Sequence, residues 1–298
     1  MSEIYQPATV ELLGPVVRQW TDRSKCEPPA EENRKFQRAW DRPVIDSVLS
    51  ALLLAATNET DKAVLLAALH RDSGAWLNAL PAPNLRTFLR DEEVRVGVAL
   101  RFGLPVVEEH DCVNCGSHVE TNGHHGLSCS SSKGRWSRHV EMNNEIKRGL
   151  ETAGYPCKSE PSGLSDLHGK RPDGMTLIPV RDGKAVVWDA TCWDTVAVSH
   201  VNASSRKAGS VAQMAENSKR GKYDFVEELG YLFYPLAVET FGTFGVSFAE
   251  LIRFVGRKIR ELTGEPRSTA FLRQRLSLAV VRGNAAAVLG TLRARSNS

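Results

Sequence analysis

Nowhere in the 298 residues is there an apolar run long enough to cross a bilayer. The longest, residues 48–56, is half of the roughly 20 residues needed, and Asp46 precedes it, so it reads as a buried helix. The first residues, Met-Ser-Glu-Ile-Tyr, lack the basic and apolar regions of a secretion leader. Internal repeats and low-complexity segments are missing too. Cysteine is sparse, with six residues, and without a secretory route these are expected to stay reduced. That expectation favours metal over disulfide for the three that cluster, and leaves Cys26, Cys157 and Cys192 as thiols without a role.

What is present is ordinary in bulk and uneven in detail. A hydrophobic content of 42% and a charged content of 24% suit a soluble globular chain, long enough for one large domain or two modest ones. The net charge is only +3, but residues 1–111 carry 13 basic and 17 acidic side chains. From Leu251 onward, 10 Lys or Arg face only Glu261 and Glu265. Positive charge concentrated at one end, including Arg253, Arg257, Lys258 and Arg260, suits a phosphate-backbone partner.

The pattern divides the chain in three. Residues 1–109 read as a helical scaffold, with two helices in 31–57 meeting at Pro43 and another over 61–70 behind an N-cap Thr60. A break at 81–84 precedes an amphipathic helix over 91–102 that Gly103 and Pro105 close. Residues 110–132, rich in Gly, Ser and Asn, are too polar to fold unaided. In 133–298 a helix over 135–153 leads to strands at 173–179 and 184–191, joined by the Arg181-Asp182-Gly183 turn. Helical character over 203–228, a strand at 231–238 and helices at 248–262 and 268–278 complete an α+β class.

Cys112, Cys115 and Cys129, with a histidine, suit a closed tetrahedral zinc site that organises a loop too short to hold itself. Both His124 and His125 fit the spacing, and adjacent residues point to different sides, so only one can bind.

The second constellation is carboxylate. Arg171-Pro172-Asp173-Gly174, followed by a strand ending in Asp189, is how metal-dependent DNA nucleases of the PD-(D/E)xK kind begin their active site. Phosphodiester hydrolysis needs two acids converging on a divalent cation such as Mg²⁺. Asp173 and Asp189 lie at adjacent ends of an antiparallel pair, and 185–188 is continuously apolar, as a buried strand should be. The usual lysine two residues after the second acid is missing: Thr191 stands there. The next helix offers Lys219, with Tyr223 one turn on along the same face. Helix, three strands, helix, strand is the order of such a core, a mixed sheet flanked by helices. His139, early in the helix after the cysteines, is placed to contact phosphate.

From the cysteine cluster onward the chain resembles the C-terminal restriction-like endonuclease region of early-branching non-LTR retrotransposon reverse transcriptase proteins. The resemblance rests on Cys-Val-Asn-Cys-Gly, His-Gly-Leu-Ser-Cys, Arg138-His139, Lys170-Arg171-Pro172-Asp173-Gly174, Val187-Trp188-Asp189-Ala190-Thr191-Cys192 and Lys219-Arg-Gly-Lys222-Tyr223. It covers about two thirds of the chain, and the first third looks like the region linking polymerase to knuckle. The family implies a CCHC zinc knuckle and a nuclease that nicks double-stranded target DNA, whose 3′ hydroxyl primes reverse transcription of the element RNA. Its catalytic acids fall on Asp173 and Asp189, its lysine on Lys219 and its tyrosine on Tyr223. Relatives with Gly-x-His-Gly-Leu-Ser-Cys place the zinc histidine at His125, and those with Gly-His followed by four residues place it at His124. Arg138, His139 and Arg171 join the four C-terminal cations as expected nucleic-acid contacts. No Tyr-x-Asp-Asp occurs, so the chain is expected to be a fragment of a longer reading frame, a truncated element copy or a host gene made from one, with a reverse transcriptase encoded upstream in the first case. Nuclear localisation and no membrane partner follow. The alternative expectation, prompted by Thr191, is a catalytically inactive, domesticated zinc-containing module that binds DNA or RNA.

Overall fold

A computed structural model describes residues 8–34, 36–165, 169 and 171–293. Lys170 lies outside them. The chain divides into two compact units, 1–58 and 59–298. Among the described residues, no helix is long and apolar enough to cross a membrane.

The first unit holds helices α1 (Ala8–Ser24) and α2 (Gln37–Ala55) around a 3-10 turn, Glu31–Asn33. Trp20 and Trp40 meet edge to face at 5.1 Å, and the Trp20 indole donates to the Trp40 carbonyl at 2.7 Å. The two helices expected to meet at Pro43 are instead one, which carries the proline inside it. A proline forfeits one backbone hydrogen bond, and the Arg42–Asp46 ion pair at 3.0 Å brackets that turn.

The second unit begins with α3 (Glu59–Leu69) and α4 (Asp91–Phe102). Helix α3 starts two residues before the expected position and takes Thr60 into its first turn, with Glu59 bound to the Ser205 hydroxyl. A short hairpin, β1 (His110–Asp111) with β2 (His118–Val119), leads to α5 (His124–Ser128) and α6 (Lys133–Thr152). Strands β3 (Cys157–Ser159), β4 (Gly174–Thr176), β5 (Val186–Trp193) and β6 (Leu232–Glu239) form one mixed sheet in that order. The first two pairings are antiparallel and β5–β6 is parallel. Helices α7 (Val201–Ser204), α8 (Ser210–Lys222) and α9 (Asp224–Glu228) make the crossover that a parallel pair requires. Helices α10 (Val246–Thr263) and α11 (Ser268–Leu289) close the chain.

Alternation along β5 divides the core. Val186, Trp188 and Ala190 pack with Met142, Ile146 and Leu150 of α6, Phe248 and Ile252 of α10, and Leu276 of α11. Val187 faces the opposite side with Tyr223, Val226 and Phe233. The Asp182-Gly183 turn takes φ of 53° and 70°, and Arg181 and Lys184 bridge across it. Two consecutive left-handed residues are what a tight hairpin with matching strand twist demands. Strand β3 supplies the third strand of the expected order, at a position that no range in the sequence had marked. It is three residues long, mostly exposed and without apolar alternation.

Helix α11 extends eleven residues beyond the expected end, through Gly283, Ala285 and Ala287. Small residues let α6 approach to backbone distance. A Cβ on Gly283 would stand 2.3 Å from Arg138 Cβ, and one on Gly134 would stand 2.4 Å from Ala287 Cα. Such a helix is buried nearly all round, so no amphipathic stripe marks it.

Two buried glutamates hold helix N-termini against this frame. Glu216 of α8 accepts the Ser247 and Phe248 amides at 3.2 Å at the start of α10. Glu239, at the end of β6, accepts the Val211 and Ala212 amides of α8 at 3.0 and 3.2 Å. Both satisfy amides that a helix leaves without partners. Glu239 is fully buried, and that burial pushes its carboxyl up to about 7 against the opposing pull of those amides and Thr195. Because this lies above the ordinary 4.5, the fold favours the protonated form. Its contribution to stability is whole below 4.5 and is lost as pH rises through about 7. Denaturation measured between about pH 5 and about pH 8 should lose up to about 3 kcal/mol from this group. Glu239→Gln should flatten that slope, and an unchanged slope would assign it to other groups.

Candidate active site and metal centre

The ligand atoms of Cys112, Cys115, His125 and Cys129 all lie within 4.8 Å of one another, so the group can hold a metal ion such as zinc. No disulfide uses these thiols. Cys115 Sγ lies 3.7 Å from Cys129 Sγ and 3.3 Å from His125 Nε2. A tetrahedral zinc with bonds of about 2.3 Å to sulfur and about 2.0 Å to nitrogen separates its ligands by about 3.5–3.8 Å, close to what is found.

Local structure brings the four together. Cys112 and Cys115 flank the β1–β2 turn, closed by Cys112 N donating to Ser117 O at 2.9 Å. His125 lies in the first turn of α5 and Cys129 ends that helix. The hydroxyl and amide of Ser117 hold the Cys115 thiol down at about 6, while burial pushes Cys129 up to about 11. His124 points elsewhere, its ring edge-on to Phe241 at 6.2 Å, and burial lowers its pKa. Of the two histidines, His125 belongs to the cluster. The hairpin is also tied to the end of α11. Val113 N donates to Thr291 O at 3.0 Å, and Asn114 Nδ2 donates to Gly290 O at 2.8 Å.

The second site lies where the sheet forks. Strand β4 pairs with β5 only as far as Gly174 opposite Trp188. One step outward, Asp173 Oδ2 accepts the Ala190 amide at 2.7 Å, an N–H that β4 no longer reaches. Gly174 is required there because the Trp188 indole lies across it, 2.1 Å from where a Cβ would be. That indole donates to Asn143 Oδ1 at 3.0 Å, and Asn143 Nδ2 donates to Asp173 Oδ2 at 3.1 Å. His139, one turn earlier on α6, donates from Nε2 to Asp173 Oδ1 at 3.1 Å. Asp173 is thus held by two helical side chains and one strand amide.

Asp189 is buried on the face of β5 that turns toward α8, where Lys219 Nζ stands 2.5 Å from its Oδ2. Burial raises the Asp189 pKa, and the Asp173 charge raises it further; Lys219 and the Tyr223 hydroxyl oppose both. For Asp173, burial is outweighed by the His139 and Asn143 side chains and the Ala190 amide, and its pKa falls. The Asp173 hydrogen bond raises His139 toward its charged form. Tyr223 is 1% exposed, and its hydroxyl donates to the Arg171 carbonyl at 3.1 Å and accepts from Lys222 Nζ at 2.7 Å. One cluster therefore joins Asp173, Asp189, Lys219, Tyr223 and His139. Asn143 also belongs to it and was missed from sequence. Its only signal was the four-residue spacing from His139, which puts both on one helix face.

The expected phosphate contacts fare unequally. Arg138 is 2% exposed, and its guanidinium donates to Asn284 Oδ1 at 2.6 Å and to Leu127 O at 3.4 Å. It is a bolt between α6 and α11 and is not open to a ligand, because helix periodicity turns residue 138 inward where residue 139 faces the fork. Arg171 is half-exposed beside Glu160 at 3.8 Å. Arg253, Arg257 and Arg260 are exposed along one face of α10, while Lys258 pairs with Glu261 at 2.7 Å. Much of the C-terminal positive charge is internally spent: Arg273 pairs with Asp72 at 3.3 Å, Arg275 with Glu145, and Arg282 with Glu141 at 2.7 Å.

No protein-family model matches the chain, and no curated protein matches it.

Purified protein should carry about one zinc per chain, the content of a single Cys₃His site. His125→Ala and Cys115→Ser should lose it, while His124→Ala keeps it. Metal analysis of the three variants, with hydrogen exchange over 110–132, checks both the ligand set and its hold on that segment. Zinc retained in His125→Ala would overturn the assignment.

Proposed function

We propose that this chain is a metal-dependent DNA endonuclease with a PD-(D/E)xK-type core, nicking target DNA for target-primed reverse transcription of a non-LTR element. The observation that carries the reading is the fork between β4 and β5. Asp173, partly buried, and Asp189, buried, stand at neighbouring ends of adjacent strands, and a lysine reaches the second from the crossover helix. The downstream lysine replaces the one that Thr191 displaces, so the missing residue of the motif has a counterpart in space.

The donor set suits a hard divalent cation such as Mg²⁺. Asp189 Oδ2 is buried against the Lys219 ammonium, with the Tyr223 hydroxyl also acting on that carboxylate, and two carboxylates repel each other there. Asp173 and Asp189 would hold that cation, which supplies water activation and charge neutralisation when bound. The remaining work falls to the chain itself. His139 and Asn143 fix the Asp173 carboxylate, which limits its rotation before substrate arrives. Lys219 lowers the Asp189 pKa against the pull of burial and adds a positive charge beside the incoming phosphate. Exposed Arg253, Arg257 and Arg260, on one face of α10, offer sequence-independent contacts to DNA backbone.

Nicking of supercoiled plasmid should require a divalent cation and be abolished in Asp173→Ala and Asp189→Ala with DNA binding retained. Lys219→Ala should lower the rate on the order of 10²–10³-fold. Because Asp189 is raised, activity should climb with pH above the ordinary carboxylate range. Removing Lys219 takes away a group that lowers that pKa, so the acidic limb should move to higher pH. Undiminished cutting by Asp173→Ala ends this reading. Separately, replacing Arg253, Arg257 and Arg260 with Gln should flatten the salt dependence of DNA affinity by up to about three ions, one per phosphate contact. An unchanged slope would leave them as a solvated helix face.

A further inference from the structure

A large aromatic side chain stands unburied beside the fork. Trp136 is 68% exposed, although its ring is a large, mostly apolar surface of the kind the fold elsewhere buries, as in Trp188 and Trp76. It lies three residues before His139 on α6, and the two rings are 6.1 Å apart at an angle of 31°. Val140, one turn further on the same face, is also exposed, so an apolar strip runs along α6 next to the residues that hold Asp173. The charge around it is positive. Lys133 and Arg135 are exposed on the first turns of the same twenty-residue helix, whose N-terminus adds its own partial positive charge. A flat apolar face set among cations, next to the Asp173 and Asp189 carboxylates, matches a nucleotide, with a base for the ring and phosphate for the charges.

We propose that Trp136 is a strand-positioning residue, the platform on which an unstacked base lies while the neighbouring phosphate is presented to Asp173 and Asp189. The proposal deepens the endonuclease reading and rests on it for the role of the carboxylates, but the stacking itself needs no cleavage. A base can reach an indole only when it is out of the duplex, so the site should prefer single-stranded, frayed or mismatched DNA over a continuous helix. Trp188 cannot serve instead, since it is buried with its N–H given to Asn143.

The test separates binding from cutting. Affinity for a labelled single-stranded oligodeoxynucleotide and for its blunt duplex is measured in EDTA with wild type, Trp136→Phe and Trp136→Ala. Trp136→Ala should weaken single-strand binding roughly 5- to 100-fold, the range of one lost base–aromatic stack. Trp136→Phe should recover most of it, and the duplex should change far less. Binding should quench indole fluorescence in the wild type, with that quenching largely lost in Trp136→Phe. On a mismatched duplex with metal present, Trp136→Ala should raise KM more than it lowers kcat. Failure of the endonuclease reading would show as undiminished nicking by Asp173→Ala, with the EDTA results untouched. The proposal is overturned if Trp136→Ala binds single strands as wild type does and the quenching persists in Trp136→Phe. It is equally overturned if Trp136→Ala changes only the oligomeric state, which would make this ring a protein contact. Should Trp136→Ala fold poorly, the Trp136→Phe affinity and its quenching decide alone.

Discussion

The contact on which most of this structure depends is the backbone-distance packing of α11 on α6. Gly134 and Gly283 permit it, and a Cβ at either position would overlap the opposite helix. Arg138 then crosses the junction to Asn284, buried with its hydrogen bonds made inside the protein. A buried guanidinium is tolerable only because those acceptors are fixed, so the helix pair sets the rotation of α6 about its axis. Rotation is what aims the next residue, His139, at Asp173. The same helix receives the cysteine hairpin at its far end through Gly290 and Thr291. One packing contact thus orients the acidic site and anchors the metal centre.

Buried carboxylates recur as the other organising device, and their surroundings assign them different jobs. Glu216 and Glu239 accept amides at helix N-termini, where partial positive charge and unpaired N–H groups await an acceptor. Asp173 does something similar for Ala190 at the fork, but keeps polar side chains around it that no cap needs. Asp189 differs from all three: it has a lysine ion pair and a neighbouring acid in place of backbone amides. A carboxylate buried on those terms is costly for the fold, and that cost is what the proposed catalytic role would explain.

The cysteine segment has less independence than its composition suggests. Its hairpin and short helix bury Cys112, Val119 and Cys129, a cluster too small to hold itself. Nearby acids, Glu108, Glu109, Asp111 and Glu120, make it a poor surface for a phosphate backbone. A metal ion held by the four ligands would fix the segment's shape and its grip on α11, while positive surface charge lies on α6 and α10 instead.

Much of this was legible in the residues, for reasons of period and spacing. Helix α4, the Asp182-Gly183 hairpin and strand β6 all follow from local signals that tertiary contacts reinforced. The Cys112, Cys115 and Cys129 spacing picked out three of the four residues that can hold a metal, yet it could not choose between His124 and His125, because both satisfy it. Only the docking of α5 chose, by turning His124 against Phe241. Pro43 read as a break because propensity knows nothing of a neighbouring ion pair. The end of α11 was invisible because a helix of small residues buried on every side has no stripe. Charge misled most. A count of cations along the chain cannot tell Arg253, open to solvent, from Arg138, Arg275 or Arg282, committed to acceptors more than a hundred residues away. The sequence by itself determined which groups are available, their protonation chemistry and their local geometry. Which of them face solvent, a metal or one another was decided only when the helices packed, since burial and long-range pairing are properties of the assembled chain.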